Sequence, residues 1–530
     1  MNSIMHTDVK TRTESRNTNK RAGTGRSSRT QGQRLASLAL AGLLAAAPCA
    51  QEAQAVDFKV SGVWQILTEA SNVTPRGVNG ADTFGALQRF RIQLDARASQ
   101  NLSGTVQFEL GRTEWGQAAT GGALGTDGQI VEVRHAFVDW AIPDTQLKVR
   151  MGLQPLMLPG AVSGFSAVFC HDMGGVSVSA PLYHSDDVTA DLSFFWARPY
   201  NDNSAAYYTE TDRSTSHLDN MDVFALSLPV RFDRFKVNPW AMYALIGKYS
   251  LSGLAITNEP AIVAPRGGLM PVLGSTNYAG FQNAWLPGVD RAWGDGFWAG
   301  ATMEYEPVDD LKLFLEGAWG SVNMGEVRNY TGFGDTGRTL DLRRSGWYVA
   351  ARINYSLDWG TLGLLGWYGS GDDGNPYNGS ERLPQYNTPW MVSSLGFGGS
   401  PIDETTWKVL GSNPGGLAAV IGEIRDMSFV EDLKHTLRFC YYWGTNNPRM
   451  PERAGMSWPT RADGPMIYLT TTDTAWEVNL TTEYKIYENL SVNLDAAYVR
   501  IDADGDTWHG AEETQYKDNY RFSVLFTYSF

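Results

Sequence analysis

Eleven residues at the end of the chain, Tyr520 to Phe530 (YRFSVLFTYSF), constrain the fold more than any other stretch. Tyr520, Phe522, Val524, Phe526, Tyr528 and Phe530 fall on one face of an extended strand. Arg521, Ser523, Thr527 and Ser529 fall on the other, broken only by Leu525. Period-two alternation with an all-apolar, mostly aromatic face admits two solutions. A soluble sheet buries that face in a core. A membrane barrel turns it to lipid and keeps the polar face toward a watery lumen. Repetition along the chain decides between them.

The pattern repeats. Leu87–Ser99 places Phe90, Ile92, Leu94 and Ala96 opposite Arg89, Arg91, Gln93, Asp95 and Arg97. Leu102–Thr113 places Val106, Phe108 and Leu110 opposite Gln107 and Glu109. Ile130–Trp140 sets Val131, Val133 and Phe137 against Glu132 and Arg134, and Thr145–Gln154 sets Leu147, Val149, Met151 and Leu153 against Lys148, Arg150 and Gln154. Further segments of this kind run to the C-terminus, among them Asp222–Arg231, Trp347–Leu357 and Leu433–Trp443. Short turns alternate with long polar loops, as in barrels with short turns on one side of a membrane and long loops on the other. The expectation is an all-β, antiparallel, up-and-down transmembrane barrel of 18 strands. The pieces at 174–183 and 417–429 carry the weakest alternation, and without both the count is 16.

Composition fits this reading. Gly (56), Trp (18), Tyr (23) and Phe (22) are abundant, and helical periodicity is scarce. The formal net charge is −14, and a basic leader holds eight of the Lys and Arg against three acids. The rest of the chain is therefore more acidic still, which argues against a nucleic-acid partner. Leu35 to Ala47 is apolar but too short to span a bilayer as a helix, and Ala53-Gln54-Ala55 follows it. Residues 1–55 thus read as a secretory signal peptide with a long basic n-region, cut before Val56. Residues 56–530 form one barrel domain. Cys170 and Cys440 make no disulfide framework and no metal cluster, although a bridge between them is open. Tyr305, Tyr355, Tyr484 and Tyr528 sit on the apolar phase near short turns, where an interfacial girdle places amphipathic rings.

The leader, the even strand count, the break after the fifth strand and the terminal Phe530 resemble a bacterial outer-membrane general porin. The segments VDFKVSGVWQ, RFRIQLDARAS and VEVRHAFVDW resemble the homotrimeric porins of sulfate-reducing proteobacteria. The resemblance implies a multi-pass barrel in the Gram-negative outer membrane, a homotrimer, passive diffusion of small hydrophilic solutes, and recognition of the strand ending in Phe530 by the barrel-assembly machinery. It also implies that 155–172 (PLMLPGAVSGFSAVFCHD) folds into the lumen as a constriction loop.

A porin performs no chemistry and needs no cofactor. Its working parts are lumen charges. Arg89, Arg91, Arg97, Arg134, Lys148 and Arg150 line one stretch of wall, with Asp95, Glu109 and Glu132 beside them and Asp172 as the acid of the loop. Such an arrangement gives either a transverse field that favours anions or a set of satisfied ion pairs. A substrate-selective sugar or anion channel is the alternative, and Trp298, Tyr348 and Tyr442 are its lumen-facing aromatic candidates. A surface-layer anchor and an outer-membrane barrel hydrolase are remote: His171-Asp172 has no nucleophile motif beside it. Asp502, Asp504, Asp506 and Glu513 match acidic positions of a calcium loop, but Thr507 stands where that loop needs Gly, so a solvated hairpin competes with a metal site.

Overall fold

The computed structural model describes residues 56–73, 82–126, 128, 131–201, 220–247, 250, 269, 291–330, 337–386, 388–398, 402, 409–411, 413–456, 468–509 and 518–530. The leader lies outside them. The first half of the sheet comprises β1 (Asp57–Ser71), β2 (Thr83–Arg97), β3 (Leu102–Glu114), β4 (Val131–Ala141), β5 (Lys148–Met157), β6 (Cys170–His184), β7 (Val188–Asn201), β8 (Asn220–Ser227, resumed at Val230–Phe232) and β9 (Phe235–Gly247). The second half comprises β10 (Trp293–Val308), β11 (Leu311–Tyr330), β12 (Arg338–Leu357), β13 (Gly360–Gly369), β14 (Leu417–Val430), β15 (Leu433–Gly444), β16 (Thr474–Tyr487), β17 (Leu490–Asp502) and β18 (Asp518–Ser529).

Every strand pairs antiparallel with its sequence neighbours, and β1 pairs with β18 from Val63↔Ser529 to Ser71↔Arg521. The sheet closes into an 18-stranded barrel. Both weakly patterned pieces, 174–183 and 417–429, are strands. The interruption in β8 falls at Leu228-Pro229, because proline has no N–H to give the ladder. The flanking groups find partners nonetheless: Asp191 N–H donates to the Pro229 carbonyl (3.0 Å), and Leu228 N–H to that of Pro239 (3.0 Å).

The outer surface is that of a membrane-spanning barrel. Tyr305, Tyr355, Tyr484 and Tyr528 form a ring near the short turns. Tyr243, Phe297, Trp319, Trp347, Tyr368 and Tyr441 form a second ring toward the long loops, and all ten are 40–45 % exposed. Tyr305 and Phe297 are eight residues apart on β10. At about 3.3 Å per residue and a tilt near 40°, that separates the rings by about 20 Å, close to the height of a barrel's apolar band. Met303, Leu315, Ile353, Leu364, Leu437, Leu480 and Leu494 fill the band between them and are exposed.

Two local features depart from simple alternation. On β4, Gln107 pairs with His135 while Phe108 pairs with Val133, so Arg134 is an extra residue. A bulge reverses the phase of everything beyond it. Phe137 therefore lies on the lumen side, contrary to the alternation read from sequence. The Arg150 guanidinium sits 4.0 Å above its ring, and Val138 takes the outer position. At the seam, Gly62 is indispensable: an added Cβ there would lie 2.6 Å from the Phe530 ring and 2.8 Å from the Arg91 carbonyl.

Leu437 lies midway between the two rings, next to lumen-facing Arg438. Leu437→Lys is expected to destabilise the barrel by about 2–4 kcal/mol, whereas Lys at the neighbouring lumen position Thr436 is close to neutral. Equilibrium unfolding in guanidinium from lipid vesicles measures the difference.

Candidate functional site

Two loops that turn into the barrel are traced by the described residues. The first, residues 158–169 between β5 and β6, carries no charged side chain, and Leu158, Val162, Ala167, Val168 and Phe169 are buried. It crosses the lumen to β11. There the Glu316 carboxylate accepts hydrogen bonds from the N–H groups of Ala161 (2.6 Å) and Val162 (2.9 Å). From β12, Arg352 Nη1 donates to the Val162 carbonyl at 2.9 Å.

The second loop runs between β13 and β14. Glu316 also accepts from its Trp390 Nε1 (3.0 Å) and from the Tyr348 hydroxyl on β12 (3.3 Å). Trp298 Nε1 donates to the Pro384 carbonyl at 2.8 Å. The two loops meet where Tyr386 N–H donates to the Val168 carbonyl (2.9 Å) and the Tyr386 and Phe169 rings pack edge to face. Further round the wall, Glu477 accepts from the N–H groups of Leu395 (2.9 Å) and Gly396 (3.1 Å) and from the Tyr442 hydroxyl (2.7 Å). Arg521 on β18 donates to the Ser394 carbonyl at 2.8 Å. A Cβ at Gly396 would lie 2.6 Å from Glu477 Oε2, so glycine lets this backbone approach without displacing the carboxylate. A charge-assisted bond contributes about 1.5–3 kcal/mol where water is excluded. Glu316 and Glu477 therefore fix both loops inside the barrel.

Trp298, Tyr348 and Tyr442 do face the lumen, as alternation indicates. All three are covered beneath the second loop and are 0–4 % exposed: Trp298 packs against Tyr386, Tyr348 against Trp390, and Tyr442 against Trp367 and Phe397. They form a dry aromatic support, not an open track for a sugar.

The charges fall into two groups. On the wall of β1–β6 most are paired. Arg91 meets Glu109 at 2.5 Å, Arg150 meets Asp139 at 2.7 Å, and Arg89 donates to Gln65 at 2.8 Å. Asp95 accepts from Thr105 at 2.7 Å, and Arg97 donates to the Ser99 carbonyl at the turn end. Glu132 is exposed near the loop end of β4. Asp172 is not a loop residue. It is the third residue of β6, opposite Pro155, and alternates with His171 and the core-packed Met173. Its carboxylate holds Arg134 at 2.6 Å and His135 at 3.0 Å. The inward loop thus presents no acid to an arginine wall, and the expected facing pair is not formed. Lys148 makes no ion pair among the described residues.

The second group was not singled out from sequence. On β12, β14 and β15, Arg352, Arg425 and Arg438 surround the single carboxylate of Glu423. Arg425 and Arg438 are each 3.1 Å from it, and Arg352 is in direct contact. Glu423 is buried, while the arginine side chains keep 13–25 % of their surface exposed. Three guanidiniums against one carboxylate leave two positive charges in surplus beside the inward loop. Arg352 reaches Glu423 across β13 only because Gly363 lies between; a Cβ there would be 2.5 Å from Glu423. Each arginine lies on the polar phase of its strand. Their convergence needs the register Glu423↔Arg438 and Gly363↔Glu423, which no single strand encodes.

The other sequence candidates are otherwise engaged. Asp504 caps the short helix Gly505–Trp508, accepting from Thr507 N–H (3.0 Å) and hydroxyl (2.6 Å), which pulls its carboxyl below the usual carboxylate range. Asp502 pairs with Arg500, Asp506 lies within that helix, and Glu513 lies outside the described residues. No group of three or more His, Cys, Asp or Glu suited to a metal occurs among the described residues. Cys170 and Cys440 are both free thiols.

No protein-family model matches the chain, and no curated protein matches it. Among solved structures it is similar to Pseudomonas aeruginosa OpdQ, with 13 % identity, 89 % of this chain and 98 % of that one covered, and a TM-score of 0.44. It is similar to OprD of the same organism at 13 % identity, 90 % and 97 % covered, and a TM-score of 0.43. It is also similar to OccK2 (OpdF) in complex with glucuronate at 11 % identity, 89 % and 98 % covered, and a TM-score of 0.46.

Replacing Glu316 with Ala orphans two backbone donors, Trp390 Nε1 and the Tyr348 hydroxyl together. The expected result is release of the first inward loop, with single-channel conductance rising about twofold or more and becoming noisier. Planar-bilayer recording of the purified variant checks it.

Proposed function

We propose that this chain is an outer-membrane porin selective for small anionic hydrophilic solutes, a narrower role than general passive diffusion. The observation that carries it is the surplus of two positive charges at Arg352, Arg425 and Arg438 beside the inward loop. Charges at a constriction act at short range through little water, so a local surplus outweighs a larger acidic total spread over exposed surface. Two inward loops leave a lumen narrower than an 18-stranded wall alone would enclose. The family resemblance adds a homotrimer, inserted by the assembly machinery through the strand ending in Phe530.

Reversal potential under a salt gradient tests the reading. The expected channel prefers chloride to potassium. Arg352→Gln with Arg438→Gln is expected to lower the chloride-to-potassium permeability ratio about fivefold or more, with a smaller effect at high salt, where screening is stronger. Cation preference in the unmodified chain, or no conductance, overturns it. Conductance in three equal steps is the outcome expected of the homotrimer.

A further inference from the structure

On the turn side of the first inward loop lies a cavity of about 350 Å³ that the arginine cluster does not use. Strand register builds it. Lys148 on β5 pairs with Ser179 on β6, Ser179 with Ser193 on β7, and Ser193 with Ser227 on β8. These four residues form one continuous row around the lumen wall, ending against Trp240 on β9. Serines beside rings as large as Phe195 and Trp240 leave a hollow. Leu156 at the end of β5 and Leu158 and Pro159 at the start of the inward loop roof it. The next row up is already satisfied: Arg150 holds Asp139, and the Ser177 hydroxyl donates to Gln154 at 2.9 Å. Among the described residues, the Lys148 ammonium and the hydroxyls of Ser179, Ser193 and Ser227 have no hydrogen-bond or ion-pair partner. The volume lies within the range of about 300–1,000 Å³ typical of small-molecule sites.

One unpaired cation at the end of a row of three unpaired hydroxyls is complementary to one class of solute. We propose that this cavity is a transit subsite for a small carboxylate bearing several hydroxyl groups, with the carboxylate on Lys148 and the hydroxyls along the serine row. The inference rests on the anion-channel reading and names its substrate class. The serine row supplies what the arginine cluster lacks. Guanidiniums attract any anion, whereas hydroxyls that donate and accept separate a hydroxylated anion from an apolar one of equal charge.

The test uses the mature chain in planar bilayers, with gluconate, hexanoate and the uncharged hexitol sorbitol added separately on the turn side. Gluconate is expected to block the current at concentrations at which hexanoate and sorbitol do not. Lys148→Met is expected to weaken the gluconate block about tenfold, and Lys148→Arg to retain it. Ser193→Ala with Ser227→Ala is expected to weaken it about tenfold while leaving the response to hexanoate unchanged. Heat-modifiable migration on gels confirms that each variant is folded. Equal block by gluconate and hexanoate, or a serine variant that blocks like the parent, overturns the subsite. If the Arg352- and Arg438-dependent anion preference persists in that case, the channel assignment survives; if anion preference is absent as well, both fall.

Discussion

A bilayer interior offers no water to a backbone N–H or C=O, and that constraint governs the whole barrel. Each unsatisfied group would cost several kcal/mol, so every strand must have two neighbours. The pairing of β1 with β18 removes the last free edges. The outward aromatic rings and the aliphatic band follow from the same closure, since a closed sheet has only an inside and an outside. Where the ladder is interrupted, at Pro229, neighbouring carbonyls and amides are recruited instead.

Closure creates a second problem, because 18 strands enclose more space than one layer of side chains fills. The chain answers with its own loops. Backbone drawn into a lumen brings polar groups with it, and Glu316 and Glu477 on the wall receive them. The aromatic residues between these carboxylates exclude water and strengthen those bonds. The constriction is therefore a packed core with a polar edge, and its charge is set by what remains unpaired at that edge.

The fold was legible because alternation is a local property. The end of a strand such as Leu433–Gly444 shows in its own residues, and so does the lumen-facing phase of Arg438. Local pattern also marked the break in alternation after the fifth strand, whereas its inward folding was implied by the porin resemblance and not by its own residues. Alternation failed at Arg134, where a bulge shifted the phase and brought Phe137 inside. Nothing in the sequence of β4 marks an extra residue that only the β3 register reveals.

The candidate site was legible in its parts but not in its assembly. Sequence by itself determined an all-β membrane barrel and, on strands without a bulge, which face meets lipid and which charges look inward. Those follow from a two-residue repeat that each strand carries alone. Only the tertiary structure decided which charges meet. Arg91, Arg134 and Arg150 are neutralised by acids on adjoining or nearby strands, while Arg352, Arg425 and Arg438 must share Glu423. The physical reason is register. Ion pairs act over a few ångströms, and the residues within that range come from strands tens of positions apart in sequence, aligned by a closed hydrogen-bond ladder that no local pattern specifies.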